Sequence, residues 1–236
     1  MSDESFACSW TVRRLGQLLG RTWGAVQGAA TIGVLVGLLG AEAQAQPTPG
    51  SGDERVQQHI ERMAHERPPD AALERLQRYE SYIRYATSLS FLRPNVTVNA
   101  NFVRALIAAE SAAQPDAVSS EGAVGLMQIL PSTGRKAARE LYETGYEFEH
   151  VARHRLQDLR RSDLKDPAIN ILIGCYLLDR YNLEFGNNLV YTVGAWNAGP
   201  GKIRQHQGAP PYAETQELIG RVNAYYLFFR EHGYSD

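Results

Sequence analysis

One glutamate stands where the surrounding sequence calls for an apolar side chain. Residues 98–112 follow a helical pattern in which Phe102, Leu106 and Glu110 recur at four-residue spacing on the apolar stripe. Burial on that stripe and the negative end of the helix dipole both favour the neutral carboxylic acid. An acid still protonated near neutral pH can donate a proton to a leaving oxygen, so Glu110 is the candidate general acid. The alternative is an ordinary glutamate at a helix end, pointing into solvent.

A loop of small and polar residues follows this glutamate. Its members with ligand-binding potential are Ser119, Ser120, Gly122, Gly125 and Gln128. Glycine lets a backbone approach a ligand closely, and a glutamine amide both donates and accepts hydrogen bonds. Leu126 and Met127 are expected to pin the loop to the core. The alternative is a connecting loop with no role in binding.

The elements that would position these residues are all helical. Apolar residues from Leu73 to Leu89 recur at three-and-four spacing and predict one helix of about five turns, which ends before Pro94. Asp166-Pro167 predicts the start of a central helix that is apolar nearly all round. Further helices are expected at 98–112, 188–198 and 212–231, with short helical pieces near 124–142. With no convincing alternation of apolar and polar residues, the sequence predicts an all-α domain.

The N-terminus has the composition of an export signal. Arginines precede an apolar stretch at residues 25–40, and Ala43-Gln44-Ala45 supplies the small residues of a cleavage site. We therefore predict a signal peptide at residues 1–45, with an uncleaved membrane anchor as the alternative, and an exported protein of the periplasm or cell envelope. Residues 46–94 are predicted to form a linker and a helical extension. The 236-residue chain has a net charge of −2 without long charged runs, which excludes a nucleic-acid partner.

Four motifs carry a family resemblance. They are "ES…P.AVSSEGAVGLMQILPST", "DPAINILIGCYLL", "GAWNAGPGKI" and "PYAET", and they stand in this order between residues 98 and 226. The chain resembles the soluble lytic transglycosylase family, whose goose-lysozyme-like helical domain cleaves bacterial peptidoglycan. The resemblance implies that residues 95–236 form a lytic transglycosylase catalytic domain, preceded by the helical extension.

The resemblance also assigns roles to single residues. Glu110 matches the catalytic acid/base, Ser119 and Gln128 match positions that contact the substrate, and Met127 matches a position that lines the groove. Asn197 matches a residue that orders the cleft wall. Two further positions complete the predicted site: Trp196, which stands where the family usually has tyrosine, and Glu214, which matches an acid facing the cleft. The alternative for Glu214 is a purely structural acid at a helix N-terminus.

The implied reaction needs one carboxyl group, no cofactor and no metal. The substrate would be the glycan strand of peptidoglycan, cut between N-acetylmuramic acid and N-acetylglucosamine to leave a 1,6-anhydro end. Two alternatives stay open at this point. One is a lysozyme-type hydrolase that uses Asp116, Glu121 or Glu214 to activate water. The other is a non-catalytic peptidoglycan-binding part of an envelope-spanning secretion or conjugation apparatus.

Overall fold

A computed structural model describes residues 51–233, which form ten α-helices and one short 3-10 helix. In chain order they are α1 (Ser51–Met63), α2 (Asp70–Gln77), α3 (Glu80–Ser88), α4 (Ala100–Ser111), α5 (Pro131–Glu143), α6 (Arg153–Gln157), η1 (Arg161–Lys165), α7 (Pro167–Glu184), α8 (Leu189–Ala198), α9 (Pro200–His206) and α10 (Ala213–Glu231). The predicted signal peptide lies outside the described residues. Within residues 51–233, no helix is long and apolar enough to cross a membrane.

The all-α prediction is confirmed for the part of the chain that the structure describes. Isolated antiparallel bridges within the loops are the only extended pairings found there, and they join Val118 to Val124, Val124 to Ile129, and Phe148 to Val151. The first two bridges fold the loop after α4 back on itself. The loop predicted from its glycine and serine content is therefore an ordered, compact unit.

Helix α7 is the buried centre of the fold, as its apolar sequence predicts. The Asp166 carboxylate caps its first turn by accepting from the Ala168 N–H at 3.0 Å and the Ile169 N–H at 3.4 Å. Pro167 occupies the first helical position, where no donor is needed. Helices α3, α5 and α8 pack around α7, and α10 packs on α1, α4 and α8. Cys175 on α7 is fully buried, and burial raises the pKa of its thiol, which makes it inert.

Two predicted elements need correction. The expected single helix from Leu73 to Leu89 is broken at Arg78 and Tyr79, because Tyr79 adopts a non-helical conformation (φ −108°, ψ 3°). This break lets α2 and α3 meet different parts of the fold while the Tyr79 side chain stays buried. The region 124–142 is not a series of short helices: residues up to Leu130 belong to the folded loop, and one helix starts at Pro131.

The N-terminal extension is bound to the rest of the fold by specific contacts. On α4, Arg104 is 2% exposed and forms a two-pronged ion pair with Glu80 of α3. At the other end of the extension, α1 lies so close to α10 that a Cβ on Gly220 would approach the Met63 sulfur to 2.8 Å and the His59 carbonyl oxygen to 3.0 Å. The division between an extension and a catalytic domain at residue 94 stays a prediction.

Candidate active site

Glu110 lies in the last turn of α4, a helix that is buried on nearly all sides. The Asn99 carbonyl side-chain oxygen caps its start by accepting from the Phe102 N–H at 3.0 Å. From there every residue to Ala108 is buried, whereas Ala109 and Glu110 are partly exposed. The carboxyl group is therefore at the point where the core opens to solvent. A group in this position is screened from most water but can reach a bound molecule.

The surroundings of Glu110 favour its neutral form. Burial is the largest effect and raises the pKa of this carboxyl from 4.5 to about 7. The nearby Glu214 carboxylate acts in the same direction, because two like charges repel. A hydrogen bond from the Trp196 indole and the positive charge of Arg221 act in the opposite direction and moderate the rise. With a pKa of about 7, the carboxyl group is present in both its neutral and its charged form near neutral pH, so it can donate and accept a proton.

Trp196 forms a hydrogen bond with the Glu110 carboxyl group through its indole N–H. An indole N–H can donate a hydrogen bond but cannot accept one, so its bond to the Glu110 carboxyl favours the charged form and lowers the pKa. The ring is partly exposed and packs edge-on against Tyr181 at 6.5 Å between ring centroids. Trp196 is therefore placed to support the carboxylate that remains once Glu110 has lost its proton.

Asn197 and Glu214 meet at the junction of α8 and α10. The Asn197 amide donates to the Glu214 carboxylate at 3.4 Å, while its carbonyl oxygen accepts from the hydroxyl of Thr215, which is buried. Glu214 is exposed in the first turn of α10, where a negative charge is also favoured by the helix dipole. This acid thus has a structural partner and also lies close enough to influence Glu110. Both of the roles considered from the sequence are compatible with its position.

The loop after α4 is held by one buried amide. Asn170 on α7 is fully buried, and it accepts from the Met127 N–H at 2.8 Å and donates to the carbonyl oxygens of Leu164 at 2.7 Å and Val124 at 3.0 Å. The approach is so close that a Cβ on Gly125, which has φ +84°, would lie 2.4 Å from the Asn170 amide nitrogen. Glycine is needed at this position for both its conformation and its lack of a side chain.

Ser111 joins this loop to α4, the helix that carries Glu110. Its buried hydroxyl donates to the Leu126 carbonyl oxygen at 2.7 Å, from the residue directly after Glu110. Only one peptide bond and this hydrogen bond therefore separate the residue that carries the carboxyl group from the loop. The serine of the "ES" motif therefore has a structural role, which is to tie the loop to the helix that carries Glu110.

Ser119 and Gln128 shape the loop with their own side chains. The Ser119 hydroxyl accepts from the Ala123 N–H at 3.1 Å. The Gln128 amide donates to the carbonyl oxygens of Gly125 at 2.8 Å and Ala117 at 3.2 Å, and its backbone lies in the left-handed region at φ +46°. Both residues are partly exposed. Their contact with substrate stays a prediction, but their place in the architecture of the loop is clear.

Met127 lies inside the core, beneath the loop that follows α4. The residue is fully buried, and its thioether packs on α7 where a Cβ on Gly174 would lie 2.2 Å from the sulfur. The side chain has no exposed surface in this structure, and the role of Met127 in lining the groove stays a prediction. Asn170 binds the Met127 N–H, and the absence of a side chain on Gly174 leaves room for the Met127 thioether against α7. Met127 anchors the loop, as the apolar sequence around it indicates.

Gly174→Ala is expected to lower the free energy of unfolding by about 1–3 kcal/mol, because the added methyl group must displace the Met127 thioether from a packed core. Urea denaturation followed by circular dichroism measures the change. Gly201→Ala on α9 is the matched control, since a Cβ there meets nothing within 4 Å. That change should be neutral or slightly stabilising. Equal stabilities of the two variants would contradict the packing of Met127 on Gly174.

Sequence reasoning missed two residues of this region. Arg221 lies on the same face of α10 as Glu214, seven residues further along the helix. It forms an ion pair with Glu217, which lies between them. Asn170 was hidden inside the apolar run of α7. For Asn170 the sequence does hold a signal of the kind that identifies Glu110, a polar residue where burial is expected. For Arg221 the signal is a polar stripe on an otherwise apolar helix.

Residues 93–219 match the Transglycosylase SLT domain family. Because this match covers more than half of the 236 residues, the chain belongs to that family. Among its relatives, the soluble lytic murein transglycosylase of Escherichia coli strain K12 is 31% identical over 143 residues, which make up 55% of this chain and 20% of that protein. The protein of the same name from Salmonella typhimurium is 29% identical over 146 residues, 56% of this chain and 21% of that protein. The chain thus spans about a fifth of the length of these relatives.

Solved structures show the same fold. The 70 kDa soluble lytic transglycosylase from Escherichia coli superposes with a TM-score of 0.50 at 28% identity, over 64% of this chain and 24% of that chain. Its complex with bulgecin A gives a TM-score of 0.53 at 27% identity, over 65% and 24%. The inactive mutant of the lytic transglycosylase Slt from Pseudomonas aeruginosa gives 0.52 at 23% identity, over 66% and 25%, and shows the fold alone. The prediction of a lysozyme-like helical fold is confirmed.

Proposed function

We propose that this chain is a peptidoglycan lytic transglycosylase that cuts the bond between N-acetylmuramic acid and N-acetylglucosamine without consuming water. The observation that carries the proposal is a single carboxyl group, Glu110, whose pKa is raised to about 7 at the opening of the core. Membership of the Transglycosylase SLT domain family and the names of the relatives support the same substrate class. The proposed site consists of Glu110 with Ser119, Gln128, Trp196, Asn197 and Glu214 around it, and Met127 beneath the loop.

In the first step, neutral Glu110 donates its proton to the glycosidic oxygen. The bond from that oxygen to C1 of the muramic sugar breaks, and the bonding electron pair leaves with the oxygen as the 4-hydroxyl of N-acetylglucosamine. The positive charge that develops at C1 is stabilised by the 2-acetamido oxygen of the same sugar. General acid catalysis requires a proton donor whose pKa is close to the working pH, which is the property that burial gives Glu110.

In the second step, the Glu110 carboxylate removes the proton from the C6 hydroxyl of the muramic sugar. The C6 oxygen then forms a bond to C1, closing a 1,6-anhydro ring and restoring neutral Glu110. Between the steps the glutamate is negatively charged in a largely buried position. The Trp196 indole N–H and the Arg221 guanidinium are the two groups that favour this charged form. Both would lower the free energy of the intermediate without needing to touch the sugar.

Most glycosidases use two carboxyl groups, and the lysozyme-type alternative needs a second one to activate water. Asp116 and Glu121 are exposed on the loop, and Glu214 is bound to Asn197. Mass spectrometry of fragments released from purified sacculi separates the alternatives. Muropeptides lighter by one water than reducing ends support the transglycosylase, and reducing ends indicate the hydrolase. Binding to sacculi without any soluble fragments would indicate the non-catalytic alternative.

The rate is expected to depend on the protonation of Glu110. Because the first step needs the neutral acid and its pKa is about 7, kcat/KM should fall about tenfold per pH unit above that value. A pH profile of muropeptide release from pH 5 to 9 measures this alkaline limb. A rate that stays constant to pH 9 would mean that another group supplies the proton.

Trp196→Phe tests whether Glu110 is the group whose ionisation causes the alkaline fall in kcat/KM. Phenylalanine keeps an aromatic ring against Tyr181 but removes the only donor of the indole, so the charged form of Glu110 loses support. The alkaline limb of the profile should therefore move to higher pH.

We further propose that the protein is exported, with residues 1–45 removed, and acts in the periplasm or cell envelope. The support is the sequence pattern of residues 1–45 together with a substrate that lies outside the cytoplasm. N-terminal sequencing of the protein recovered from a periplasmic fraction should begin at Gln46. Recovery of the intact chain from the membrane fraction would instead indicate an anchor. Partner proteins in an envelope-spanning apparatus stay a further proposal.

A further inference from the structure

Two charged side chains of the extension contact the helix that carries Glu110. Both α2 and α3 precede residues 93–219, which match the family. On α3, Glu80 pairs with the buried Arg104 in the middle of α4. On α2, the Arg75 guanidinium donates to the Ala112 carbonyl oxygen at 2.8 Å, in a partly buried contact at the end of α4. The extension therefore holds α4 at two points, and the second lies two residues from the catalytic carboxyl.

The backbone at this second point is in an unfavourable conformation. Ala112 and Ala113 both have positive φ, at 48° and 59°. A residue with a side chain avoids this left-handed region because its Cβ approaches the following carbonyl oxygen. Glycine is the usual residue at such a helix end, and two consecutive alanines need support from their surroundings. Arg75 supplies it by binding the carbonyl oxygen of the first alanine, and its positive charge complements the negative end of the helix dipole.

The same turn is also tied to the loop on the side of the active site. Ser111 donates to the Leu126 carbonyl oxygen at 2.7 Å, and Ala113 is fully buried. Residues 110–113 thus lie between Arg75 on one side and the loop on the other. If the turn relaxed, Glu110 and its connection to the loop would shift together, and misplacement of a reacting group is costly in rate.

We propose that Arg75 is a positioning residue that holds the turn at Ala112 and Ala113 and thereby fixes Glu110 relative to Trp196 and the loop. The inference rests on the proposed function of Glu110 as the catalytic acid. It makes the N-terminal extension part of the working site, although the family match begins after it. Arg75 acts through the backbone and does not touch the substrate.

Arg75→Met in the full chain tests the inference. Methionine keeps an unbranched apolar stem but lacks the guanidinium donors, so kcat should fall about tenfold or more while KM stays within about twofold. Adding Ala112→Gly should restore kcat, because glycine adopts the left-handed conformation without support. Arg75→Lys should retain more activity than Arg75→Met, since lysine still donates. Arg78→Met, a change of an exposed arginine at the end of the same helix, is the matched control and should behave like the wild type.

A second readout separates positioning from mere stabilisation. The pKa of Glu110, followed by carbon-13 NMR, should fall from about 7 toward 4.5 in Arg75→Met as the carboxyl moves into solvent, and return with Ala112→Gly. An unchanged kcat, an unchanged pKa, or losses that Ala112→Gly does not restore would each overturn the inference. If the wild type is active and Glu110→Gln is inactive, any of these three results refutes the positioning role of Arg75 but leaves the proposed function intact. An inactive wild type refutes the proposed function, and the NMR readout still tests the positioning.

Discussion

Glu110→Gln is expected to lower the rate of muropeptide release by about 10²–10⁴-fold or more, since that is the usual contribution of general acid catalysis. Glutamine keeps the shape of the side chain, and its carbonyl oxygen can still accept from the Trp196 N–H. What it lacks is the proton that Glu110 stores at a pKa of about 7. Release of anhydro fragments from sacculi, quantified by chromatography and mass spectrometry, measures the loss. Glu121→Gln, on the exposed loop, is the matched control and should leave the rate unchanged.

The same variant is expected to be more stable than the wild type at alkaline pH. The folded pKa of about 7 lies above the ordinary 4.5, so the folded protein binds this proton more tightly than the unfolded chain does. The free energy of unfolding therefore falls as the pH rises through that interval, and the deficit persists above it. Glutamine has no charge to desolvate, so Glu110→Gln should gain up to about 3 kcal/mol above pH 7 and nothing below about pH 4.

If Glu110→Gln is less active but more stable than the wild type at alkaline pH, misfolding is excluded as the reason for its lost activity. Thermal unfolding at pH 8 and pH 4 measures the difference in stability between the variant and the wild type. A variant that is inactive and also less stable at pH 8 would indicate that Glu110 has a structural role. A variant that still cleaves sacculi would show that Glu110 is not the catalytic acid. Functional groups held in unfavourable surroundings commonly lower stability, and here the cost is assigned to one carboxyl group.

Glu80→Ala is expected to lower the free energy of unfolding by about 3–5 kcal/mol, because it removes a carboxylate that pairs with the buried Arg104 guanidinium. Arg104 is 2% exposed and cannot turn into solvent to recover its hydration. Its bond to the Asn101 side chain at 2.7 Å is to a neutral amide and does not replace the charge of the Glu80 carboxylate. Urea denaturation at pH 7 measures the loss.

Two further variants show whether the ion pair is the cause. Glu74→Ala, which changes an exposed acid on α2, should alter the free energy of unfolding by no more than about 0.5 kcal/mol. The double variant Glu80→Leu with Arg104→Met should recover most of the stability, since replacing both members of a buried pair with apolar groups is often neutral. A Glu80→Ala variant as stable as Glu74→Ala would mean that the extension is held by its apolar contacts instead.

Much of the fold could be predicted because its signals are local. The Asp166-Pro167 cap, the all-round apolar α7 and the stripe that contains Glu110 each depend on residues within one helix, where period and capping rules apply. The break between α2 and α3 could not be predicted from the same rules, since the apolar spacing continues through it. Tyr79 leaves the helical conformation because α2 and α3 bind different partners, Ala112 and Arg104, which lie more than twenty residues away.

The candidate site divides in the same way. Glu110 is identifiable because an acid interrupts an apolar stripe, and Asn170 could have been identified by the same reasoning. The inward position of Met127 depends on the space that Gly174 leaves on another helix, which no local pattern records. The contact between Arg75 and Ala112 likewise joins residues 37 positions apart. The sequence alone indicates which polar residues lie on apolar helix faces, whereas the contacts that position them depend on the completed fold.

Direct titration of Glu110 tests the central claim most sharply. Carbon-13 NMR of the protein labelled at glutamate side-chain carboxyls, compared with the same spectrum of Glu110→Gln, assigns the resonance that disappears in the variant. We predict that this resonance titrates with a midpoint near pH 7, well above the ordinary 4.5. A midpoint at the ordinary value would show that Glu110 is ionised at neutral pH and holds no proton for the glycosidic oxygen, which would contradict the proposed mechanism.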